Sequence, residues 1–286
     1  MKEETINRRI EQLKDLPTLP TILMECNQML QNPETTASTL GDVIKTDQAI
    51  SSKVLKLVNS AFYGLSGRVS TISQAIVVLG FNAVRNIILS ISVFEFLPRN
   101  ADLKGFEIYK FWEHSIGCGV ISKILGQKLG IEDPEEAFIA GLLHDVGKLV
   151  IARIFPEDFI TILKITHSNK ALFLDAEQDV LGITHNQTGE ILAKHWRLPS
   201  TLIESIAFHH NGTEKMNNKN LVSIVHLADI ITRGLQIGSG GDMVIPAINR
   251  KAWDALNMNS KIIEPLMDDL DEELEKMSIF LSIISE

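Results

Sequence analysis

The stretch "GLLHDVGKLV" (Gly141–Val150) places a histidine and an aspartate, His144 and Asp145, inside an otherwise apolar run. A run of this composition predicts a buried helix. A buried carboxylate needs a cation or several hydrogen-bond donors, because its desolvation is otherwise too costly. The stretch therefore predicts that other parts of the chain bring a partner to this pair.

The composition is that of an ordinary globular protein and excludes several classes of function. Hydrophobic residues make up 45% of the 286 residues, charged residues make up 22%, and the net charge is −9. This acidic balance argues against a nucleic-acid surface, which needs clustered Lys and Arg. The N-terminus "MKEETINRRIEQLKD" is too charged for a signal peptide, and no uncharged apolar run reaches the roughly 18 residues that span a bilayer. The two cysteines, Cys26 and Cys118, lie far apart, which suits a reducing compartment. We therefore expect a cytoplasmic protein that binds neither nucleic acid nor membranes.

The apolar spacing predicts an all-α fold. For example, "QAISSKVLKLVNS" places Ile50, Val54, Leu57 and Val58 on one helical stripe. No stretch shows the alternating pattern of a half-buried strand. We expect helices throughout the chain.

Two helix starts are marked by capping residues. Asp133 before Pro134 predicts an N-cap followed by proline at the first helical position. Thr184 with Gln187 three residues later predicts a capping box. Both starts precede stretches that contain histidines of interest.

The polar stretch "LPRNADLKGF", residues 97–106, is the clearest seam in the chain. It predicts an N-terminal helical subdomain, residues 1–104, and a C-terminal helical subdomain, residues 105–286. A second loop, "GLQIGSGGDMVIP" (residues 234–246), interrupts the C-terminal half. The tail from Glu264 predicts a closing amphipathic helix with an acidic outer face.

Several of the eight histidines lie on apolar stripes rather than on polar faces. His144 shares a helix face with the small residues Ala137, Ala140 and Gly141, which would let a neighbouring helix approach closely. Other notable features are the pair His209-His210 and the "HLAD" segment with His226 and Asp229. The full set of histidines is 114, 144, 167, 185, 195, 209, 210 and 226.

Two explanations of this set remain open from the residues alone. A single histidine on an apolar face is usually a core residue with a satisfied hydrogen bond. Several buried imidazoles and carboxylates together would be costly if unpaired, and one metal site would satisfy all of them. His226 fits either a partner that orients a metal ligand or a core residue. His167 and His195 lie in polar surroundings, and we expect both at the surface.

The order of these residues resembles that in the metal-dependent phosphohydrolases of the HD superfamily. The segment "HDVGK" is similar to the family signature, in the form also seen in HD-GYP phosphodiesterases. The simple HD ligand pattern corresponds here to His114, His144, Asp145 and Asp229. The additional ligands of the two-metal members correspond to His185, His209 and His210. This resemblance covers residues 106–235.

The N-terminal half is similar to the HDOD domain, the HD-related output domain of bacterial signalling proteins. The similar segments are "LPTLPTILMECNQML", "IKTDQAISSKVLKLVNSAFYG" and "VSTISQAIVVLGFNAVRNIIL". The likeness extends from about Leu16 to about Leu266, and it implies an HD-like helical bundle with an N-terminal helical subdomain. Many HDOD proteins lack the metal ligands and are regarded as regulatory binding modules, whereas this chain keeps all seven.

The chain departs from the HD-GYP pattern in two places. The paired histidines are followed by "NGTEKMNNKN" instead of a GYP segment, which puts cyclic di-GMP as a substrate in doubt. The position at which some relatives carry a glutamate for a third metal is Lys110 here. We therefore expect two metals rather than three.

The resemblance assigns roles to the residues. It implies that Asp145 bridges two metals, one held by His114, His144 and Asp229 and the other by His185, His209 and His210. A histidine-rich shell suits transition metals better than Mg²⁺ or Ca²⁺, and the nearest two-metal relatives favour iron over manganese or zinc. Asp145 and Lys148 are the expected catalytic residues, with Lys148 contacting a substrate phosphate. The other explanation of Lys148 is a solvated lysine near a helix C-terminus.

Two hypotheses of different class remain. The first is a bacterial signalling protein with a two-metal phosphohydrolase or phosphodiesterase site, whose substrate is a phosphorylated small molecule such as a nucleotide or cyclic dinucleotide. The second is a non-catalytic regulatory HDOD module, in which the metal core is structural or senses a ligand and the helices bind a signalling partner protein. Turnover by the metal-loaded protein would distinguish them.

Overall fold

The computed structural model describes residues 19–30, 32–94, 105–210 and 217–285. Within these ranges every regular element is a helix and no strand occurs, which confirms the all-α prediction. The predicted seam at residues 97–106 lies largely outside the described residues. The predicted boundary at residue 104 therefore stays a prediction.

The described residues form two compact units. The N-terminal unit contains residues 19–94 together with 271–285, and the C-terminal unit contains residues 105–270. The helices of the N-terminal unit are α1 (Thr21–Met29), α2 (Ala37–Ile44), α3 (Gln48–Val58), α4 (Ile72–Leu79) and α5 (Phe81–Phe94). The helices of the C-terminal unit are α6 (Ile108–Leu129), α7 (Pro134–Leu143), α8 (Val146–Ile154), α9 (Pro156–Asn169), α10 (Phe173–Val180), α11 (His185–His195), α12 (Ser200–Phe208), α13 (Lys219–Gly234) and α14 (Arg250–Ala255). The last helix, α15 (Ser260–Ser285), contributes residues to both units.

In the N-terminal unit, the predicted stripe of α3 is buried as expected. The segment that follows α3 is held by Asn59. Its side-chain amide donates to the carbonyl oxygens of Leu55 and Val69, at 2.7 and 2.8 Å, and its Oδ1 accepts from the Val69 amide at 2.8 Å. Asn59 therefore ends α3 and fixes the returning chain, so its role in "NSAFYG" is structural.

In the C-terminal unit, both predicted caps are present. Asp133 accepts hydrogen bonds from the amides of Glu135 and Glu136 at 3.1 and 3.2 Å, which starts α7. Gln187 accepts from the amide of Thr184 at 2.9 Å, which starts α11. Local sequence thus sets the start of each of these two helices.

The opening stretch is not one helix, contrary to the prediction. Helix α7 ends at Leu143 and α8 begins at Val146, with Asp145 at φ −97° and ψ 7° between them. A side chain at Gly147 would lie only 1.9 Å from the carbonyl oxygen of His185, so α8 packs backbone to backbone against the start of α11. The break and this close approach bring His185 next to Asp145. Apolar periodicity did not reveal the break because both helices are buried.

Within the described residues, no single helix has both the length and the apolar character to cross a membrane. Helices α4 and α5 pass that test only as a pair, and they are bent by 119° at the break between them.

Candidate metal centre

The C-terminal unit brings all seven predicted ligands together. They come from five parts of the chain: His114 from α6, His144 and Asp145 from the junction of α7 and α8, His185 from the first residue of α11, His209 and His210 from the end of α12, and Asp229 from α13. The side-chain atoms fall into two groups, and within each group they lie within 4.8 Å of one another. We call these the Asp229 group (His114, His144, Asp229) and the His185 group (His185, His209, His210, with Asp145).

The Asp229 group converges on carboxylate oxygens. Nε2 of His114 lies 3.1 Å from Oδ1 of Asp229, and Nε2 of His144 lies 3.7 Å from the same oxygen. The same two nitrogens lie 3.7 and 3.3 Å from Oδ2 of Asp145. Two imidazoles and two carboxylates therefore face one small volume.

The His185 group converges on the other oxygen of Asp145. Nε2 of His185 lies 3.2 Å from Oδ1 of Asp145, and Nε2 of His209 lies 3.7 Å from it. Nε2 of His210 lies 3.0 Å from Nε2 of His185. The two oxygens of Asp145 therefore face different groups: Oδ2 faces the Asp229 group and Oδ1 faces the His185 group.

The cluster is buried, and several of its polar atoms have no hydrogen-bond partner. His144, Asp145, His185 and His209 are each 0% exposed, whereas His210 is half-buried. In the part of the chain that the structure describes, four buried atoms of the cluster have no hydrogen-bond partner: Nε2 of His114, His144 and His209 and Oδ1 of Asp145. Each such atom costs on the order of 1–3 kcal/mol when left unsatisfied. These unpaired nitrogen and oxygen atoms lie close together, and both are atom types that bind metals. A cation site requires such an arrangement.

The other ring nitrogens of three histidines are held from outside the cluster. Nδ1 of His144 lies 2.7 Å from the carbonyl oxygen of Gly141, and Nδ1 of His209 lies 3.0 Å from that of Ile206. Since a carbonyl only accepts, each Nδ1 carries a proton, and Nε2 is the ring nitrogen that faces the cluster. Nδ1 of His185 lies 2.6 Å from a carboxylate oxygen of Glu177.

Sequence reasoning missed Glu177, although the signal was present. Phe173, Ala176 and Glu177 are the buried residues of α10. Their spacing puts a glutamate on the apolar stripe of an amphipathic helix, where a charged residue needs a partner. Burial raises the pKa of Glu177 well above its ordinary value, and the backbone amide of His185 opposes the rise.

Arg233 is a second residue that the sequence analysis missed. Its Nε donates to Oδ1 of Asp229 at 2.8 Å, and its Nη1 donates to Asp242. Asp242 also accepts from the amide of Phe173 at 2.9 Å. Arg233 therefore braces Asp229 and ties it to the loop that follows α13.

That loop, residues 236–245, covers the Asp145 side of the cluster, and we call it the covering loop. Lys148 is fully buried, and its Nζ donates to Oδ2 of Asp145 at 2.6 Å and to the carbonyl oxygen of Gly240 at 2.8 Å. A side chain at Gly240 would lie 3.3 Å from Oδ2 of Asp145, which shows how closely the loop backbone approaches. The amide of Ser239 further donates to the carbonyl oxygen of Lys110 at 2.8 Å. The solvated-lysine explanation of Lys148 is therefore wrong for this conformation, and a phosphate contact stays a prediction.

The electrostatics of the cluster favour ionised carboxylates. Burial by itself would raise the pKa of Asp145, but His144 and Lys148 outweigh it and hold that pKa well below its ordinary value. Burial likewise opposes ionisation of Asp229, and Arg233 reverses the effect, so its pKa is also well below the ordinary value. Burial and the Lys148 cation together hold the pKa of His185 well below its usual value, which keeps this imidazole neutral. Neutral imidazoles and ionised carboxylates are the forms that bind metals.

The remaining histidines lie outside the cluster. His226 donates through Nδ1 to the carbonyl oxygen of His209 at 2.7 Å, and its Nε2 accepts from the amide of Asn249 at 2.9 Å. It therefore holds the backbone of a predicted ligand in place. His167 and His195 are exposed, as predicted.

Comparisons with known proteins bear on the family and the fold of the chain. The family model of the HDOD domain matches residues 16–212. A protein of Treponema pallidum described as uncharacterized is 29% identical over 230 residues, which are 79% of this chain and 44% of that protein. The chain spans less than half the length of the curated relatives it matches.

Two solved structures share the fold. An HDOD domain protein of unknown function from Geobacter sulfurreducens is 24% identical, with 96% of each chain covered and a TM-score of 0.79. A protein of Shewanella amazonensis, named provisionally as a phosphohydrolase, is also 24% identical, with 96% of this chain and 98% of that chain covered and a TM-score of 0.74. The two structures therefore share the helical fold of this chain over 96% of its length.

Proposed function

The chain belongs to the HDOD domain family, and we propose that its histidine-aspartate cluster is a two-metal centre of the phosphoester-hydrolysing class. The observation that carries the proposal is the position of Asp145. One of its oxygens lies 3.3 Å from Nε2 of His144, and the other lies 3.2 Å from Nε2 of His185. A carboxylate placed between two groups of imidazoles offers one oxygen to each of two adjacent cations.

The unpaired atoms of the cluster support bound metal. The unpaired Nε2 atoms of His114 and His144 belong to one group, and that of His209 belongs to the other. A single metal ion would leave part of this set unsatisfied, whereas two ions bridged by Asp145 would satisfy all of it.

The ligand types favour a transition metal. Five histidines and two aspartates make a nitrogen-rich shell, and Mg²⁺ and Ca²⁺ prefer oxygen ligands. Iron, manganese and zinc accept mixed imidazole and carboxylate shells. We propose iron, with manganese or zinc as alternatives.

The chain's own residues prepare the site for hydrolysis. When bound, such a pair of ions supplies Lewis acidity and a nucleophile at neutral pH for displacement at phosphorus. Arg233 fixes the orientation of Asp229 through its 2.8 Å bond, and the covering loop excludes bulk water from Asp145. Lys148 is the cation of this chain nearest to Asp145 and would meet the negative charge of a phosphate once Gly240 releases it.

The proposed substrate is a phosphorylated small molecule, such as a nucleotide or a cyclic dinucleotide. The provisional phosphohydrolase name of one structural relative is in keeping with this class. The segment after His210 lacks the GYP sequence, so we do not assign cyclic di-GMP.

A second candidate function is a regulatory module in which the metals are structural and the helices bind a signalling partner. The observation that favours it is the burial of Asp145 and Lys148 beneath the covering loop, since both are 0% exposed. A substrate that enters from the side of the covering loop reaches Asp145 only if the loop moves.

The charge of the adjacent cavity does not favour a phosphate. It measures about 540 Å³, lies against the covering loop and includes His114 in its wall. Its charged lining is three acidic groups against two basic ones, Glu107, Glu113 and Asp242 against Lys110 and Arg233. This excess of negative charge disfavours an anionic substrate there.

Turnover separates the two candidates. Protein loaded with iron or manganese is assayed against phosphomonoesters, phosphodiesters and cyclic dinucleotides, with Asp145→Ala as the inactive reference and His167→Ala, at an exposed histidine, as the matched control. Hydrolysis by the parent and by H167A but not by D145A supports the enzyme. No hydrolysis by a parent that retains both metals supports the regulatory module.

A further inference from the structure

Glu177 is a fully buried carboxylate that touches one predicted metal ligand at two points. Its Oε2 lies 2.6 Å from Nδ1 of His185 and accepts from the backbone amide of the same residue at 2.9 Å. Its Oε1 has no hydrogen-bond partner among the described residues. A buried carboxylate with one unsatisfied oxygen is costly, and a neutral side chain would cap the start of α11 at lower cost.

The His185 ring differs from the rings of two other predicted ligands, His144 and His209, in the partner of its Nδ1. His144 and His209 are held by backbone carbonyl oxygens of their own helices, three residues earlier in the chain. His185 is the first residue of α11, so its own helix has no carbonyl oxygen three residues earlier to offer. The carboxylate of α10 supplies the acceptor that the helix lacks.

We infer that Glu177 is a positioning residue for one of the two metals. It holds His185 in the tautomer that directs Nε2 at Asp145 and fixes the angle of the ring, so it acts on the metal of the His185 group and not on that of the Asp229 group. This inference rests on the proposed two-metal centre. Carboxylate partners of ligating histidines typically change metal affinity by about 10–100-fold.

A purely structural role for Glu177 makes a different prediction. If the contact with the His185 amide only stabilises the start of α11, then removing Glu177 weakens the fold and both metal sites together. If Glu177 orients the ring, then one site weakens while the other keeps its affinity. The two affinities, measured separately, therefore distinguish the roles.

The test uses the full chain loaded with Mn²⁺ and measures both affinities by competition with a chelator. Electron paramagnetic resonance then distinguishes a magnetically coupled pair of ions from an isolated ion. The variants are Glu177→Ala, which removes the acceptor, and Glu177→Gln, which keeps an acceptor oxygen of similar shape. Glu190→Gln, at a half-buried glutamate that pairs with Lys194 on α11, is the matched control.

We expect E177A to lose about 10–100-fold in affinity at one site only, with the coupled signal replaced by that of an isolated ion. E177Q should retain most of the affinity because its amide oxygen still accepts from Nδ1, and E190Q should match the parent. Unchanged affinities in E177A, or equal losses at both sites in E177A and E177Q, would overturn the inference. A parent that binds fewer than two ions would instead contradict the proposed function itself.

Discussion

Nε2 of His185 lies 3.2 Å from Oδ1 of Asp145, although the two residues belong to different helical segments. The contact exists because Gly147 lets α8 pack directly on the backbone of α11. The opposite oxygen of Asp145 faces His144 and Lys148. Asp145 is therefore the residue that both groups share. Its removal should affect both metals, whereas the removal of a single histidine should affect one.

We expect Asp145→Ala to release both metals, because the substitution removes the oxygen that faces each group. His210→Ala should release only the metal of the His185 group, since His210 belongs to that group and not to the Asp229 group. Elemental analysis after gel filtration gives the metal content per chain, with H167A as the control. Retention of both metals by D145A would show that Asp145 is not a bridge.

Gly147→Ala should destabilise the protein by about 1–3 kcal/mol or more, because overpacked sites relax only by shifting backbone. The added Cβ would lie 1.9 Å from the carbonyl oxygen of His185. Gly234→Ala is the matched control, since nothing lies within 4 Å of its added Cβ. It should change stability by no more than about 1 kcal/mol. Denaturant unfolding measures both, and equal stability of the two variants would contradict the close packing of α8 on α11.

Lys148→Met should destabilise the metal-free protein by about 3–5 kcal/mol, because it leaves a buried carboxylate without its cation. In the metal-loaded protein the loss should be smaller, since the ions then neutralise Asp145. Thermal unfolding with and without Mn²⁺ measures the difference. Lys45→Met, at an exposed lysine paired with Asp42, should cost no more than about 1 kcal/mol in either form. An equal loss for K148M in both forms would mean that no cation replaces Lys148 at Asp145.

The metal-free protein should become less stable as the pH falls below about 6.5. Five histidines have pKa values lowered from 6.5, chiefly by burial, so the unfolded chain binds protons first on acidification. His144 opposes the trend. Burial would lower its pKa, but Asp145 holds it well above 6.5, so its contribution is lost as the pH rises through that higher value. The histidines with lowered values are 114, 185, 209, 210 and 226.

Denaturant midpoints of the chelator-treated protein at about pH 8 and about pH 5.5 measure this dependence. A lower midpoint at the acidic pH is expected. A higher midpoint there would mean that the raised pKa values of His144 and Glu177, which both oppose the trend, outweigh the lowered ones.

The sequence predicts the ligand set better than it predicts the surrounding geometry. The order of histidines and aspartates can be read directly from the sequence, so resemblance alone was enough to select His114 and Asp229. Glu177 and Arg233 could not, because their importance lies in which ring or carboxylate they touch. The break at Asp145 was likewise hidden, since α7 and α8 are both apolar and buried and their periodicity continues across the junction.

The covering loop shows a similar limit. Its glycines and serine predict a loop correctly, but composition does not reveal that the Gly240 carbonyl oxygen meets Lys148. That contact depends on the packing of α8 against the loop after α13. Burial of Lys148 was therefore not foreseen, although its direction toward Asp145 was.

The most direct test of the two-metal centre is anomalous diffraction from crystals of the iron- or manganese-loaded full chain, with data collected on both sides of the metal's absorption edge. We predict two anomalous peaks, one beside each carboxylate oxygen of Asp145, with the first contacting His114, His144 and Asp229 and the second contacting His185, His209 and His210. A single peak, or peaks that do not contact Asp145, would contradict a centre bridged by this residue.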